Sequence, residues 1–171
     1  MITVVSDTHG TDGHRLRGRT LEAVREADLV VHAGDFVEVP VLDAFEEIAT
    51  ELVAVYGNVD DETVRRRLPR TRTVEVNGLR LALVHRVAGG ETGLAMFGRD
   101  REAHLVVSGH SHRPSFVDAG DVGLLNPGSH AQPRGYRPGH AELDVDGATV
   151  RGRLCEPDGS VFEEFSFEIE P

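Results

Sequence analysis

Lysine is absent. All 18 basic residues are arginine, against 29 acidic ones, for a formal net charge of −11. That excess disfavours non-specific nucleic-acid binding, which draws its affinity from cationic attraction to phosphate. An acidic, lysine-free composition fits either a high-salt cytoplasm, where salt screens self-repulsion, or a genome that favours arginine codons. Cysteine is nearly absent: Cys155 stands alone, which excludes an intrachain disulfide and a multi-thiolate metal site. No apolar run approaches the ~18 residues of a membrane span, so none is expected. The opening Met1 to Asp7 has neither a basic region nor a long apolar stretch, and is expected not to be a signal peptide. A cytoplasmic protein is the simplest reading. Repeats, linkers and low-complexity segments are also missing, and 171 residues suit one domain spanning 1–171.

What is present is an ordered alternation. Ile2 to Val5 reads as a strand that stops at Ser6-Asp7. Arg19 to Ala27 has helical spacing, Leu29 to Ala33 is a buried strand ending at Gly34-Asp35, and Val41 to Thr50 is a helix with Leu42, Phe45 and Ile48 on one face. Leu52 to Tyr56 is a third strand, ending at Gly57-Asn58. Strand, helix, strand, helix, strand predicts a parallel sheet with crossover helices. Beyond Pro69 the pattern changes. Arg72–Val76 and Leu79–His85 flank Asn77-Gly78, a hairpin signal. A helix is expected over Gly93–Glu102 and a strand over Leu105–Val107. The rest is β-rich: 115–118, 123–125, 141–145, 149–154 and 161–169. The spacing predicts an α/β chain with a mixed or antiparallel second half.

Five of these strands stop at a potential metal ligand. They end in Asp7-Thr8-His9, Gly34-Asp35, Gly57-Asn58-Val59-Asp60, His85 and Gly109-His110-Ser111-His112. In open α/β sheets, ligands collect outside the carboxyl ends of the strands, so residues far apart in sequence converge there. Oxygen and imidazole donors in this mixture suit Mn, Fe, Zn or Ni better than calcium. Alternate residues of an extended segment point the same way, so Asp7 can share a site with His9, and His110 with His112 unless a turn divides them.

This ordered set resembles the calcineurin-like metallophosphoesterase superfamily. The short chain, Asn126-Pro127-Gly128-Ser129 and Pro133-Arg134 resemble its small branch, the bacterial and archaeal phosphodiesterases of the YfcE type. The motifs run from Asp7 to Arg134. The resemblance implies an α/β fold, a four-layer αββα sandwich of two mixed β-sheets flanked by helices. It implies dinuclear-metal-dependent hydrolysis of a small phosphate ester, a diester before a monoester, with a metal-bridging hydroxide as nucleophile. Carried onto this sequence, one ion takes Asp7, His9 and His112, the other Asn58, His85 and His110, and Asp35 bridges both. Asp35, Asn58 and His85 form the catalytic group. Manganese is the expected metal, with nickel, iron and zinc as alternatives; a homo-oligomer is left open. Two departures stand out. His85 is followed by Arg86 where the small branch has glycine, and Arg86 either binds a substrate phosphate oxygen or marks drift. Val59 follows Asn58 where larger relatives carry a histidine thought to protonate the leaving group; valine matches the small branch and leaves the general acid unassigned.

The plainer readings are these. His85 is a ligand or else a core histidine donating to a backbone carbonyl. His32, inside an apolar strand, is a satisfied core residue. His14, His104, His130 and His140 lack motif support and default to the surface. Asn126 orders its loop, and Arg65-Arg66-Arg67 is a solvated helix face. The competing functions are a nucleotide or phosphomonoester phosphatase and, by resemblance to the phosphoesterase-like subunit of retromer, a non-catalytic protein-binding scaffold. Retention of every expected ligand, His9 included, argues against the scaffold.

Overall fold

The apolar runs are unbroken because both faces of the central strands are covered. The computed structural model describes residues 1–169. Its first half contains β1 (Ile2–Val5), α1 (Gly18–Glu26), β2 (Leu29–His32), α2 (Val39–Ile48), β3 (Leu52–Ala54), α3 (Glu62–Arg67), β4 (Thr71–Val76) and β5 (Leu79–Val84). There follow α4 (Gly90–Arg99), β6 (Leu105–Val107), β7 (Ser115–Asp118), β8 (Gly123–Asn126), β9 (His140–Asp146), β10 (Thr149–Cys155) and β11 (Val161–Glu168).

These strands form two mixed sheets, ordered β11-β10-β9-β1-β2-β3 and β4-β5-β6-β8-β7. β1, β2 and β3 are mutually parallel, as are β5, β6 and β8. Period-two alternation then sorts the side chains into layers. Val4, Val31 and Val53 meet Leu81, Leu83 and Leu105 between the sheets. Val5, Val30 and Ala54 face the other way, onto Val24, Leu42, Phe45 and Val64 of α1, α2 and α3. Ala82, Val84 and Val106 of the second sheet pack on Ala95 of α4. The order is helices, sheet, sheet, helix, as the resemblance implied. At the β4–β5 turn, Asn77 and Gly78 have φ of +51° and +82°, the left-handed pair that a two-residue hairpin requires. No described helix is long and apolar enough to cross a membrane.

Local details differ from the sequence expectations for identifiable reasons. α2 starts two residues early because Pro40, with φ preset for a helix, occupies its first turn. α4 runs from Gly90 instead of Gly93: Gly89, at φ +88°, turns the chain into the helix. It stops at Arg99, where the Ala103 N–H closes on Gly98 O at 3.0 Å. α3 is the short helix that carries Arg65-Arg66-Arg67; it is capped by Asp61, whose carboxylate accepts the Val64 N–H at 2.8 Å. Two histidines assigned to the surface are buried. His140 opens β9 and lies within hydrogen-bond distance of Thr20 Oγ1 (3.0 Å) and Glu142 Oε1 (3.0 Å), while Arg19 grips the same carboxylate. His130 packs edge-on to Phe45.

Phe45 is fully buried and meets His32, Phe36 and His130. Phe45→Ala leaves a cavity between α2 and the first sheet and is expected to cost about 3–5 kcal/mol. The check is a denaturant-unfolding midpoint; a loss under about 1 kcal/mol would contradict the packing described.

Candidate metal centre

At the carboxyl ends of β1, β2, β3, β5 and β6 the chain leaves both sheets on the same side of the molecule. The turns are sharp. Asp7, His9, Asp35, His110 and His112 all have positive φ, at +54°, +47°, +62°, +71° and +59°. Such conformations cost non-glycine residues about 1–3 kcal/mol each and persist only where the surroundings impose them. Here hydrogen bonds between loops do so. The Asp7 N–H donates to Gly34 O (2.9 Å) and the His9 N–H to Asp35 O (3.0 Å). The His110 N–H donates to Asp7 Oδ2 (3.0 Å), and Ser129 Oγ to Asp7 O (2.6 Å).

Two groups of candidate ligands result. In the first, Asp7 Oδ1 lies 3.3 Å from His112 Nε2 and 3.7 Å from His9 Nε2. In the second, Asp35, His85 and His110 stand together, with His85 Nε2 3.2 Å from Asp35 Oδ2. Asp35 Oδ2 is also 3.4 Å from His9 Nε2, so one carboxylate oxygen faces both groups. Asn58 Oδ1 closes the second group, 2.8 Å from His110 Nδ1 and 3.1 Å from His85 Nε2. All seven residues singled out as ligands are thus brought together, and Arg86 stands at their edge with Nη1 3.4 Å from His110 Nε2.

Whether this arrangement suits cations can be read from the imidazoles. His85 Nδ1 donates to Ala33 O at 2.8 Å and His112 Nδ1 donates to Gln132 O, which leaves each Nε2 turned on the centre. The Nε2 atoms of His9 and His112 are buried without a hydrogen-bond partner. A ring-nitrogen lone pair facing a carboxylate oxygen is repulsive unless a proton or a cation lies between them. With protons alone the cost appears as shifted pKa values. Burial by itself would lower the His9 pKa, but the carboxylates of Asp35 and Asp7 push it up to about 9. Burial likewise opposes ionisation of Asp35, yet His85, His9 and the Val59 N–H hold its carboxyl well below the usual range. The donor set fits divalent cations, which would replace these protons.

Asp60 was not singled out from sequence except as part of a motif, and it is no ligand. Its buried carboxylate accepts the N–H groups of Asp35 (3.1 Å), Val37 (2.6 Å) and Gly57 (2.6 Å). Arg65 was also missed. Its guanidinium donates to Asp60 O (2.8 Å) and Asn58 O (2.6 Å), whereas Arg66 pairs with Glu62 and Arg67 with Asp43 and Glu46. One arginine of the run therefore serves the site and two serve the surface. Asn126 orders its loop: its amide donates to Gly109 O and Ser111 Oγ, and its carbonyl accepts from Gly128. His32 is a satisfied core histidine, bonded to Thr8 Oγ1 and the Gly34 N–H.

Two other places compare poorly. His140, Glu142 and Cys155 have ligand spacing, but Arg19 and Arg153 occupy the Glu142 carboxylate and burial pushes the Cys155 thiol up to about 11. A cavity of about 630 Å³ beside His104, Phe116 and Asp121 lies at the amino ends of β6 and β8 and contains none of the strand-end ligands.

Comparison with known proteins agrees with this geometry. A family model described as the calcineurin-like phosphoesterase superfamily domain matches residues 1–148. A probable metallophosphoesterase of Methanothermobacter thermautotrophicus is 30% identical over 171 residues, covering 98% of each chain. The phosphodiesterase YfcE of Escherichia coli is 29% identical over 164 residues, 85% of this chain and 88% of its own. Among solved structures, Vps29 of Chaetomium thermophilum superposes with a TM-score of 0.83 at 18% identity over 99% of this chain and 98% of its own, a likeness of fold.

Gly57 provides a test of the loop geometry, because a Cβ there would fall 2.0 Å from Asp35 Oδ1 and 2.5 Å from Asp35 N. Gly57→Ala must therefore displace the Asp35 carboxylate. In the metal-free protein the His9 pKa is expected to drop from about 9 back toward 6.5, as followed by NMR titration. The sign follows from the raised value: the contact stabilises the fold fully below pH 6.5, and the contribution disappears as pH rises through about 9. An unchanged His9 titration in the variant would refute the placement.

Proposed function

Because the chain belongs to the calcineurin-like phosphoesterase superfamily, we propose that it is a phosphodiesterase that works with two divalent metal ions, manganese foremost. Asp7, His9 and His112 would hold one ion, Asn58, His85 and His110 the other, and Asp35 would be a ligand shared by both groups. The observation that carries this reading is Asp35 Oδ2, 3.4 Å from His9 Nε2 and 3.2 Å from His85 Nε2, so that a single oxygen addresses both groups. Divalent ions bound there would supply Lewis acidity toward phosphoryl oxygens and lower the pKa of bound water.

The chain's own groups orient and bind. The Ala33 carbonyl fixes the His85 ring, and the Val59 N–H fixes Asp35 through Oδ1 at 3.1 Å. Asn58 turns its carbonyl toward His85 and His110, leaving its amide N–H groups to donate to a phosphoryl oxygen. Arg86 is exposed beside the centre and supplies a charge-assisted contact to the substrate phosphate. A diester brings two arms to the centre, and two recesses meet there. One, of about 500 Å³, has Leu94, Phe116 and Leu124 in its wall; the other is about 240 Å³; His85 and Arg86 border both. A monoester would leave one of them unused.

Asp35→Ala removes the shared carboxylate. Metal content per chain is expected to fall and turnover of bis(4-nitrophenyl) phosphate to drop by about two orders of magnitude or more, with far-UV circular dichroism unchanged. Near-normal turnover with full metal content would sink the assignment.

Val59 yields a second expectation. It is 42% exposed at the position following Asn58 and offers no proton to a departing alkoxide. General-acid assistance is ordinarily worth about 10²–10⁴-fold. Turnover should therefore depend steeply on leaving-group acidity, with nitrophenyl esters cleaved much faster than alkyl esters. A flat dependence, with chemistry rate-limiting, would reveal a proton donor elsewhere in the site.

A further inference from the structure

The smaller recess beside the centre has an unusual wall for so acidic a chain. About 240 Å³ in volume, it is bordered by Tyr56, Asn58, Arg65, Arg70, His85 and Arg86, with no aspartate or glutamate in its lining. Backbone pairing explains how Arg70 arrives there. Thr71 is in register with Val84, which sets Arg70 opposite His85, and the Tyr56 N–H donates to Pro69 O at 3.0 Å, drawing the same segment against the end of β3. Arg65 is fixed by its bonds to Asn58 O and Asp60 O, its guanidinium 5.5 Å from the Tyr56 ring centroid.

The charges in this wall are not neutralised locally. Arg19, Arg66, Arg67, Arg80, Arg99, Arg137, Arg151 and Arg153 all lie within 4.0 Å of a carboxylate. Within the described residues Arg65, Arg70 and Arg86 have no such partner; neither do seven other arginines, but these three are the ones that border this recess together. Three exposed arginines bordering one small recess make it locally positive, which favours an oxyanion through charge-assisted and bidentate hydrogen bonds. Asn58 and His85 border both this recess and the candidate centre, so an oxyanion held here would lie beside a phosphate held there.

We infer that this recess is a subsite for a second oxyanion of the substrate, so that the favoured esters carry a carboxylate or a further phosphate on one arm, while the other arm lies along the larger, partly apolar recess. The inference rests on the phosphodiesterase reading above and narrows its substrate class to esters with at least one anionic arm.

Calorimetry on the manganese-loaded protein tests it with three phosphonates that share one head: ethylphosphonate, 2-carboxyethylphosphonate and ethylene-1,2-diphosphonate. At least one doubly anionic probe is expected to bind about tenfold or more tightly than ethylphosphonate, the worth of one charge-assisted bond. Which of the two gains more tells a carboxylate subsite from a phosphate one. Arg70→Ala should erase the gain. Arg72→Ala, which removes the same charge two residues along exposed β4, should keep it. Equal or unmeasurable affinities for the doubly anionic probes, or a gain that survives Arg70→Ala, would overturn the subsite. Hydrolysis of bis(4-nitrophenyl) phosphate by the same samples reports separately on the phosphodiesterase reading. Intact hydrolysis with equal probe affinities removes the subsite alone. Absent hydrolysis with an Arg70-dependent gain removes the reaction and keeps the anion site.

Discussion

Three backbone amides from two different loops donate to the one carboxylate of Asp60, and the candidate centre depends on that arrangement. Asp35 and Val37 belong to the turn after β2, Gly57 to the turn after β3, and all three N–H groups point at Asp60. Buried amides without acceptors would cost about 1–3 kcal/mol each, so these loops have little freedom to separate. Fixing the Asp35 N–H holds its backbone in the left-handed region, and from there the side chain extends toward His9 and His85. Burial raises the Asp60 pKa from its ordinary value even against its three donors. The carboxylate that organises the loops and the carboxylate that faces the imidazoles are therefore opposite in electrostatic character, although their loops are bonded to each other.

That contrast explains why the two acidic groups have different work. Asp60 is surrounded by neutral amides and makes no approach to an imidazole. Asp35 is surrounded by groups that can carry or replace a positive charge, and it is strongly ionised. Asp7 takes the corresponding position in the first group, with its backbone carbonyl held by Ser129 and its carboxylate receiving the Ser6 hydroxyl and the His110 N–H. The protein thus positions its acids through backbone bonds and leaves their remaining lone pairs facing His9, His85 and His112.

Much of this was legible in the sequence, and the reason is physical. Strands buried on both faces are written as apolar runs, so a polar residue where such a run stops marks a strand end. Asp7, Asp35, Asn58 and His110 were readable for that reason, and the two-sheet architecture followed from their order through resemblance. What could not be read depends on contacts distant in sequence. Asp60 lay in the same motif as Asn58, but its three amide partners come from a loop more than twenty residues away as well as its own. Arg65 was indistinguishable from Arg66 and Arg67 until a six-residue helix turned one guanidinium inward and two outward. His130 and His140 lacked any pattern, since their burial is set by Phe45 and by the Arg19–Glu142 pair across the first sheet. The left-handed backbone at five candidate ligand positions has no sequence signature at all, because glycine or asparagine, the usual markers, are not what stands there.

The two candidate ligand groups also straddle the seam of the sandwich. Asp7, His9, Asp35 and Asn58 follow strands of the first sheet; His85, His110 and His112 follow strands of the second. Neither sheet alone carries a complete group, so the spacing within each is set by how far apart and at what offset the sheets rest. The leucine and valine layer between them, Val4, Val31, Leu81, Leu83 and Leu105 among others, is in effect the ruler of the centre. A methylene gained or lost in that layer, many side chains removed from any ligand, would reach the site as an error of alignment.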